Sequence, residues 1–337
     1  MAAYTTIDNP ELYFQCKLYT GNGSTNAITL DGDENMQPNM IWFKCRSATE
    51  HHGVFDNVRG VTKVIYPNLN NTEDTVSDSL SSFNTDGFTL GADTGSGGAF
   101  NGDTKTMVAW AWKESVTAGF DIVSYTGNAT ARTISHSLSA VPHFIIIKNR
   151  DTSRSWLVGS KGLPSWSYHV YLDTTDDQNS DNNMFNGTTP TSSVFSLGNA
   201  DEGNQNTDNM IGFLFSEKQG YSKFSKYIGN ASDDGPCVFT GFRPAWIMCK
   251  AASDNGEGWQ ILDNKRDPNN PVLTKLAANA NGADSATAGD NNVDFLSNGF
   301  KIITNDNGLN KTGVTYIYMA FAEAPFVNSN GVPANAR

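Results

Sequence analysis

Short apolar runs separated by turns rich in Gly, Asn and Asp set the hydrophobic pattern of this chain. Residues 144–147 are apolar at every position after Pro142, which predicts a strand buried on both faces. Residues 120–125 and 210–215 frame that run and are also strand-like. Helical periodicity is weak, and residues 273–280 alone are compatible with one or two helical turns. The pattern therefore predicts an all-β fold.

Three sequence signatures recur in the same order in three parts of the chain. The first, Tyr-x-Gly-Asn, predicts a tight turn at the end of a strand, at residues 19–22, 125–128 and 227–230. The second runs from a Pro through an apolar stretch to a Lys, at 38–44, 142–148 and 244–250. The third ends in a Glu, at 110–114, 213–217 and 319–323. A repeat of about 105 residues indicates triplication of one unit.

The repeat divides the chain into three units of domain size, at residues 13–118, 119–220 and 221–327. We predict domains at 1–118 (with an N-terminal arm), 119–220 and 221–327, followed by a tail at 328–337. About seven short strands per unit predict three tandem β-sandwich repeats of jelly-roll or lectin-like type. The connections are short, so the repeats should pack against one another. Gly87 and Gly299, each before a Phe, predict turns with positive φ.

Composition narrows the function classes. The 19 Phe, 11 Tyr and 7 Trp residues argue against disorder. A net charge of −12 disfavours binding to a phosphate backbone, so no nucleic-acid partner is expected. The charge fits a solubility role, and adsorption to a cationic partner is the alternative.

Targeting and redox signals are sparse. Residues 1–6 lack the basic and apolar segments of a signal peptide, and no apolar run is long enough for a membrane helix, so synthesis in a cytoplasm without membrane insertion is expected. Cys16, Cys45, Cys237 and Cys249 lack metal-binding spacing and are predicted to be reduced, buried hydrophobic residues.

Two neighbouring tryptophans raise the question of sugar binding. Trp110 and Trp112 lie two residues apart and should share one face of a strand, where they would form either a stacking platform or part of the sandwich core. The matching positions in the third unit hold Met319 and Phe321. A stacking platform does not exchange freely with Met, so the core interpretation is favoured.

No sequence motif for a nucleophile, a phosphate-binding loop or a metalloprotease is found. The Gly-rich segment 95–98 lacks a following Lys-Ser/Thr and is predicted to be a flexible loop. His51 and His52 are adjacent, a poor arrangement for one metal on a strand, and a surface loop is favoured. His136, His143 and His169 lie on separate segments. We therefore predict no catalytic and no cofactor-binding residue.

Two carboxylate-rich loops are candidate calcium sites. Residues 31–35 resemble the start of a calcium loop, but Met36 and Trp42 stand where its Gly and Glu belong. Residues 173–183 form the second loop. Solvated turns are favoured, so no metal residue is assigned, and structural Ca²⁺ is the alternative. The Asn-x-Ser/Thr triplets at 22–24, 128–130 and 230–232 are predicted to be turn chemistry.

Several phrases of this chain resemble repeat-containing virion proteins of marine tailed bacteriophages, which are labelled tail-fibre-like or lectin-like. The phrases lie at residues 3–15, 55–60, 119–128, 146–151, 220–224, 240–246 and 294–300. The resemblance covers almost the whole chain and carries over no catalytic residues. It implies a virion structural protein, with other virion proteins as partners, homo-oligomerisation in the particle and contact with host glycan.

Within that expectation, a tail fibre or tip component competes with a capsid decoration protein. A tailspike-type polysaccharide depolymerase and a free carbohydrate-binding module are further alternatives. Three copies would raise avidity, and a chain of three repeats would imitate a trimer with pseudo-threefold symmetry. The segments after the signature lysines, 44–46, 148–150 and 250–252, differ between copies and are expected to contact different neighbours.

Overall fold

The computed structural model describes residues 3–286 and 292–335, and these form an almost entirely antiparallel β structure. Each of the three repeats contains one large and one small sheet, and the first has a further two-stranded sheet. In each large sheet the first strand of the unit pairs with the last, and the last pairs with the strand that carries the signature Lys. The predicted all-β class, with sheets packed against one another, is confirmed.

Unit 1 contains nine strands. They are β1 (Phe14–Thr20), β2 (Asn26–Ile28), β3 (Met40–Cys45), β4 (Gly53–Asp56), β5 (Lys63–Val64), β6 (Asp74–Thr75), β7 (Leu80–Phe83), β8 (Phe88–Leu90) and β9 (Thr106–Trp112). The large sheet has the order β1-β9-β3-β4, the small sheet β2-β8-β7, and β5 pairs with β6. A short 3-10 helix, Pro10–Leu12, precedes β1.

Unit 2 repeats this plan with a wider large sheet. Its elements are β10 (Phe120–Thr126), β11 (Arg132–Ser135), β12 (Phe144–Asn149), β13 (Leu157–Ser160), β14 (Tyr168–Tyr171), β15 (Asn179–Ser180), α1 (Asn182–Phe185), β16 (Val194–Leu197), α2 (Asp201–Asn204) and β17 (Asn209–Phe215). The large sheet has the order β10-β17-β12-β13-β14-β15, and β11 pairs with β16.

Unit 3 closes the series. Its elements are β18 (Ser222–Ile228), β19 (Cys237–Phe239), β20 (Phe242–Ala251), β21 (Gln260–Asp263), β22 (Leu276–Ala277), β23 (Val293–Leu296), β24 (Gly299–Ile302), α3 (Asn307–Asn310) and β25 (Thr315–Pro325). The sheets have the orders β18-β25-β20-β21-β22 and β19-β24-β23.

The described residues pack into four apolar clusters. Three of them lie between the large and small sheets of single units, around Phe43, Leu214 and Tyr318 respectively. The fourth, which we call the shared core, draws side chains from all three large sheets, Trp110 and Trp246 among them. Alternation along each strand explains the division, since successive side chains point to opposite faces.

The units make contact in a closed cycle of three seams. Unit 2 packs on unit 1 at the first seam, unit 3 packs on unit 2 at the second, and unit 1 packs on unit 3 at the third. The N-terminal arm reinforces the third seam, because Tyr4 donates its hydroxyl to Gly241 O (2.8 Å) and Ser329 donates its backbone N–H to Asp8 (2.7 Å). The chain is thus a ring of three β-units with pseudo-threefold arrangement.

Several local predictions need correction. Residues 273–280 contain strand β22 instead of helical turns, because residues 276 and 277 pair with β21. Cys237 is exposed, whereas Cys16, Cys45 and Cys249 are buried. Gly87 has the predicted positive φ, but Gly299 does not; a Cβ there would lie 2.0 Å from Val238 O, so close approach of the backbone requires glycine.

Trp110 and Trp112 are buried, as the core interpretation requires, but they lie in the shared core and not inside a sandwich. Trp42 pairs with Trp110 across the sheet, and Trp112 packs edge-to-face on Trp246 of unit 3 with ring centroids 5.7 Å apart. These side chains therefore hold units together. Among the described residues, no helix has the length and apolar character needed to span a membrane.

Candidate functional site

The Tyr-x-Gly-Asn signature forms the same turn in each unit. Its Tyr hydroxyl donates to a backbone carbonyl that precedes the last strand of the unit. Tyr19, Tyr125 and Tyr227 donate to the carbonyl oxygens of Phe100, Gly203 and Leu309 over 2.6, 2.7 and 2.8 Å. The glycine is required by close approach, since a Cβ on Gly127 would lie 2.1 Å from Gln205 O. The signature therefore stabilises the fold of each unit.

A buried asparagine completes each turn. In unit 2, Asn204 donates through Nδ2 to Thr130 O (2.8 Å) and Gly198 O (2.7 Å), and its Oδ1 accepts from the Asn128 backbone N–H (3.0 Å). Asn101 and Asn310 make the corresponding bonds in units 1 and 3. Buried polar groups need such partners because an unpaired one is costly.

The Asn-x-Ser/Thr triplets are part of these turns. The Asn22, Asn128 and Asn230 side chains accept from the backbone N–H groups of Ser24, Thr130 and Ser232 over 2.9, 3.0 and 3.0 Å. Each is an Asx turn, in which the side chain satisfies a backbone donor two residues on. The turn-chemistry prediction is confirmed.

The signature lysines lie buried in the seams. Each ammonium donates to one carbonyl of its own unit and one of the neighbouring unit. Lys44 pairs with Cys45 and Asn281, Lys148 with Arg154 and Asn70, and Lys250 with Glu257 and Thr175. Burial lowers the pKa of each of these lysines to about 8.

A second repeated contact lies beside each lysine. The indole Nε1–H groups of Trp156 and Trp259 donate across their seams, to Tyr66 O (3.1 Å) and Tyr171 O (2.8 Å). His52 takes this position in unit 1, directly before β4, and its Nε2 lies 3.0 Å from Ala277 O. His52 is fully buried, so the surface-loop interpretation was wrong for this residue.

At the end of the seams that holds the signature lysines, ion pairs reinforce the first and third seams, whereas the ion pair of the second seam joins Lys223 to Glu217 (3.5 Å) at the opposite end. At the first seam, Glu73 forms ion pairs with Arg150 of unit 2 (2.8 Å) and with Arg59 of its own unit (3.3 Å). At the third seam, Asp284 forms ion pairs with Arg46 of unit 1 (2.6 Å) and with Arg266 of its own unit (3.1 Å).

The second seam carries neutral residues at the matching places. A backbone bond identifies them, because the N–H groups of Glu73, Asp284 and Gln178 donate to the carbonyls of Arg150, Arg46 and Ala252. The segments after the signature lysines therefore face another unit of the same chain. The expectation that their differences meet different external neighbours was wrong for these positions.

The closing glutamates lie at the opposite end of the shared core. Glu114 accepts from the Ile122 backbone N–H (3.4 Å) and Glu217 accepts from the Phe224 N–H (2.9 Å), so each reaches the first strand of the next unit. Glu323 instead pairs with Arg243 (3.2 Å) and Asn264 (2.9 Å) within unit 3. Burial, followed by a hydrogen bond with Asp121, raises the pKa of Glu114 to about 7.

The two carboxylate-rich loops are engaged by protein groups. Asp31 forms ion pairs with Lys17 and, at 3.9 Å, with Lys265. Asp173 accepts from the Trp156 backbone N–H (2.9 Å), and burial raises its pKa. Within residues 3–286 and 292–335, no three His, Cys, Asp or Glu side chains are grouped to hold a metal ion.

The histidines and the Gly-rich loop do not come together in one site. His51 contacts Asn68 (2.7 Å), whereas His52 points into the third seam. His136 lies 3.2 Å from Thr191 O, and His143 accepts from the Glu217 backbone N–H (3.0 Å). His169 is buried on β14 beside Tyr171. The loop at 95–98 is anchored by its Gly98 N–H, which donates to Asp93 O (2.8 Å).

Sequence reasoning missed the buried asparagines and the seam residues. Asn101, Asn204 and Asn310 stand five residues before the last strand in each unit, a regular spacing that a search anchored on that strand would have found. The seam position is harder to see because His52 occupies the place held elsewhere by a tryptophan.

Comparison with known proteins gives a family and no established activity. Neither the search of curated proteins nor the search of solved structures returned a match. One family profile, described as a domain of unknown function (DUF7483), matches residues 9–325. That match spans the 3-10 helix and all strands from β1 to β25. The chain belongs to the DUF7483 family.

Proposed function

We propose that this chain is a structural protein of a bacteriophage virion, most consistent with a tail fibre, tail tip or surface adhesion component. The observation that carries the proposal is the closure of three repeats into one ring within a single chain. The residues that recur in all three units serve turns and seams, such as Tyr125 and Lys148. A frame of this kind favours a rigid building block over a single active site.

The sequence resemblance to virion proteins supplies the context, and the ring supplies a reason for the triplication. A threefold body made from one chain needs no assembly of separate subunits, so its three faces are present in fixed stoichiometry. Each face exposes a small sheet and the loops between strands, while the large sheets are turned inward to the shared core. We propose that the outer loops carry the contacts with virion neighbours and with host glycan.

Quantitative mass spectrometry of purified particles tests this proposal. A few copies per particle, enriched in an isolated tail fraction, are expected. Hundreds of copies in the head fraction would instead identify a capsid decoration protein. Absence of the chain from purified, infectious particles would overturn the proposal.

Glycan contact is tested separately with the purified chain. An array of host surface polysaccharides is expected to give saturable binding to at least one glycan without shortening the polymer. Loss of polymer length would identify a depolymerase, and an array without any hit would remove the glycan-binding part of the proposal.

A further inference from the structure

A cleft of about 230 Å³ opens at the third seam, beside the closing glutamate of unit 3. Strand β1 and the 3-10 helix of unit 1 form one wall, and unit 3 forms the other. Its lining includes Glu11, Phe14, Ala245, Asn264, Ala322 and Glu323. Lys265 also lines the cleft, which thus combines two carboxylates and one ammonium with apolar surface.

Pseudo-symmetry explains why the cleft is open here. One backbone hydrogen bond recurs in every unit. The donor N–H belongs to Asn57, Lys161 or Asn264, and the acceptor carbonyl to Asn39 (2.9 Å), His143 (2.9 Å) or Ala245 (2.8 Å), respectively. Asn39, His143 and Ala245 are therefore equivalent. The side chains of Asn39 and His143 fill this place and accept the backbone N–H groups of Glu114 and Glu217, respectively. Ala245 has no side chain long enough to do so, and the place stays empty.

Asn264 presents an unused acceptor at this cleft. Its Nδ2 donates to Glu323 Oε2 at 2.9 Å, which fixes the orientation of the amide. Its Oδ1 has no hydrogen-bond donor among the described residues, although the residue is only 5% exposed. A buried acceptor without a partner is costly, so a donor supplied from outside would be stabilised here.

Unit 2 shows which group fits at the equivalent place. Lys161 occupies the chain position of Asn264, and its ammonium lies 2.6 Å from Glu217 Oε2. The shorter Asn264 cannot supply that ammonium in unit 3. Arg243 pairs with Glu323 and offsets its charge. The further carboxylate at the cleft is that of Glu11, whose pKa is raised by burial and lowered in part by the nearby Lys265.

We propose that this cleft binds a primary ammonium group carried on a short apolar chain, either a free alkylamine or the side chain of a lysine. The ammonium would donate to Asn264 Oδ1 and to the Glu11 carboxylate, and the apolar chain would pack on Phe14, Ala245 and Ala322. This inference does not rest on the virion assignment.

Titration calorimetry of the full chain with n-butylammonium tests the site. One equivalent with a dissociation constant on the order of 1 mM is expected, with n-butanol as the uncharged control. Ala245→His fills the cleft as His143 does in unit 2, and Asn264→Lys supplies the ammonium from the chain. Each should weaken binding at least about tenfold, with unchanged circular dichroism.

Two outcomes would overturn the proposal: no saturable binding to the wild-type chain, or undiminished binding to a folded Asn264→Lys variant. Blocked lysine, acetylated at its amine terminus and amidated at its carboxyl, distinguishes the two sources. Binding of both probes assigns a protein lysine, and binding of butylammonium alone assigns a small amine.

Discussion

His52 and Ala277 join unit 1 to unit 3 through a contact of 3.0 Å between Nε2 and the carbonyl oxygen. Trp42 fixes the tautomer, because its indole N–H donates to His52 Nδ1 at 2.8 Å and leaves Nε2 as the protonated nitrogen. The imidazole thus donates a hydrogen bond across the third seam, as the indoles of Trp156 and Trp259 do across the first and second. Unlike an indole, it also titrates.

Stability should depend on pH through His52. Burial holds its pKa well below the usual value, so the folded chain keeps it neutral while the unfolded chain takes up a proton below about pH 6.5. The unfolded state then binds more protons, so the free energy of unfolding decreases as the pH is lowered, by at most about 1.4 kcal/mol per pH unit. Urea unfolding at a series of pH values from 7.5 to 5.5, spanning roughly one unit on each side of that pKa, measures this.

His52→Gln is the matched variant, since an amide can accept from Trp42 and donate to Ala277. Its stability should fall less steeply over the same pH range. His136, His143 and His169 remain in both proteins and cancel in the difference. Equal slopes for the two proteins would contradict the assignment.

Removing one seam lysine should weaken the chain. Lys250→Met leaves the carbonyls of Thr175 and Glu257 without their donor while relieving the burial of a charge, so a net loss of about 1–3 kcal/mol is expected. Lys226→Met, on an exposed site of β18, is the control and should change stability by less than about 0.5 kcal/mol. Chemical denaturation compares them; equal effects would remove the structural role of Lys250.

The buried asparagine of a turn should not tolerate loss of its donors. Asn204→Asp keeps the shape but turns an acceptor toward Thr130 O and Gly198 O, which should cost about 2–4 kcal/mol. The exposed Asn206→Asp is the matched control. Thermal denaturation should show a lower midpoint for Asn204→Asp alone. Similar midpoints for the two variants would argue against a role of Asn204 in stabilising the turn.

The ion pair between Glu73 and Arg150 should couple units 1 and 2. A double-mutant cycle with Glu73→Gln and Arg150→Ala should give an interaction energy of about 1–3 kcal/mol that weakens at high salt. Gln178→Ala, at the matching position of the second seam where the side chain is neutral, should change the free energy of unfolding without such a salt dependence. An interaction energy near zero would mean that this pair adds nothing to the first seam.

Local signals in the sequence predicted local structure well. The Tyr-x-Gly-Asn turns and the buried run at 144–147 follow from residues close together in the chain, and both are found in the structure. The contacts across the seams could not be predicted in this way. They join residues such as Lys148 and Asn70, whose pairing depends on how whole units dock.

The same limit applies to the tryptophans and to the cleft. The pattern at 110–112 predicts burial, yet alternation along a strand cannot tell a sandwich core from a core shared by three sheets. The cleft depends on an absence, the small side chain of Ala245 where the other units have larger ones. That difference carries meaning only after the equivalent positions are known from the structure.

Differential scanning calorimetry of the intact chain tests the closed ring most directly. Because the shared core takes side chains from every unit, we predict a single unfolding transition with equal calorimetric and van't Hoff enthalpies. Three separate transitions, each with the enthalpy of one unit of about 105 residues, would show that the units fold independently and would contradict the ring.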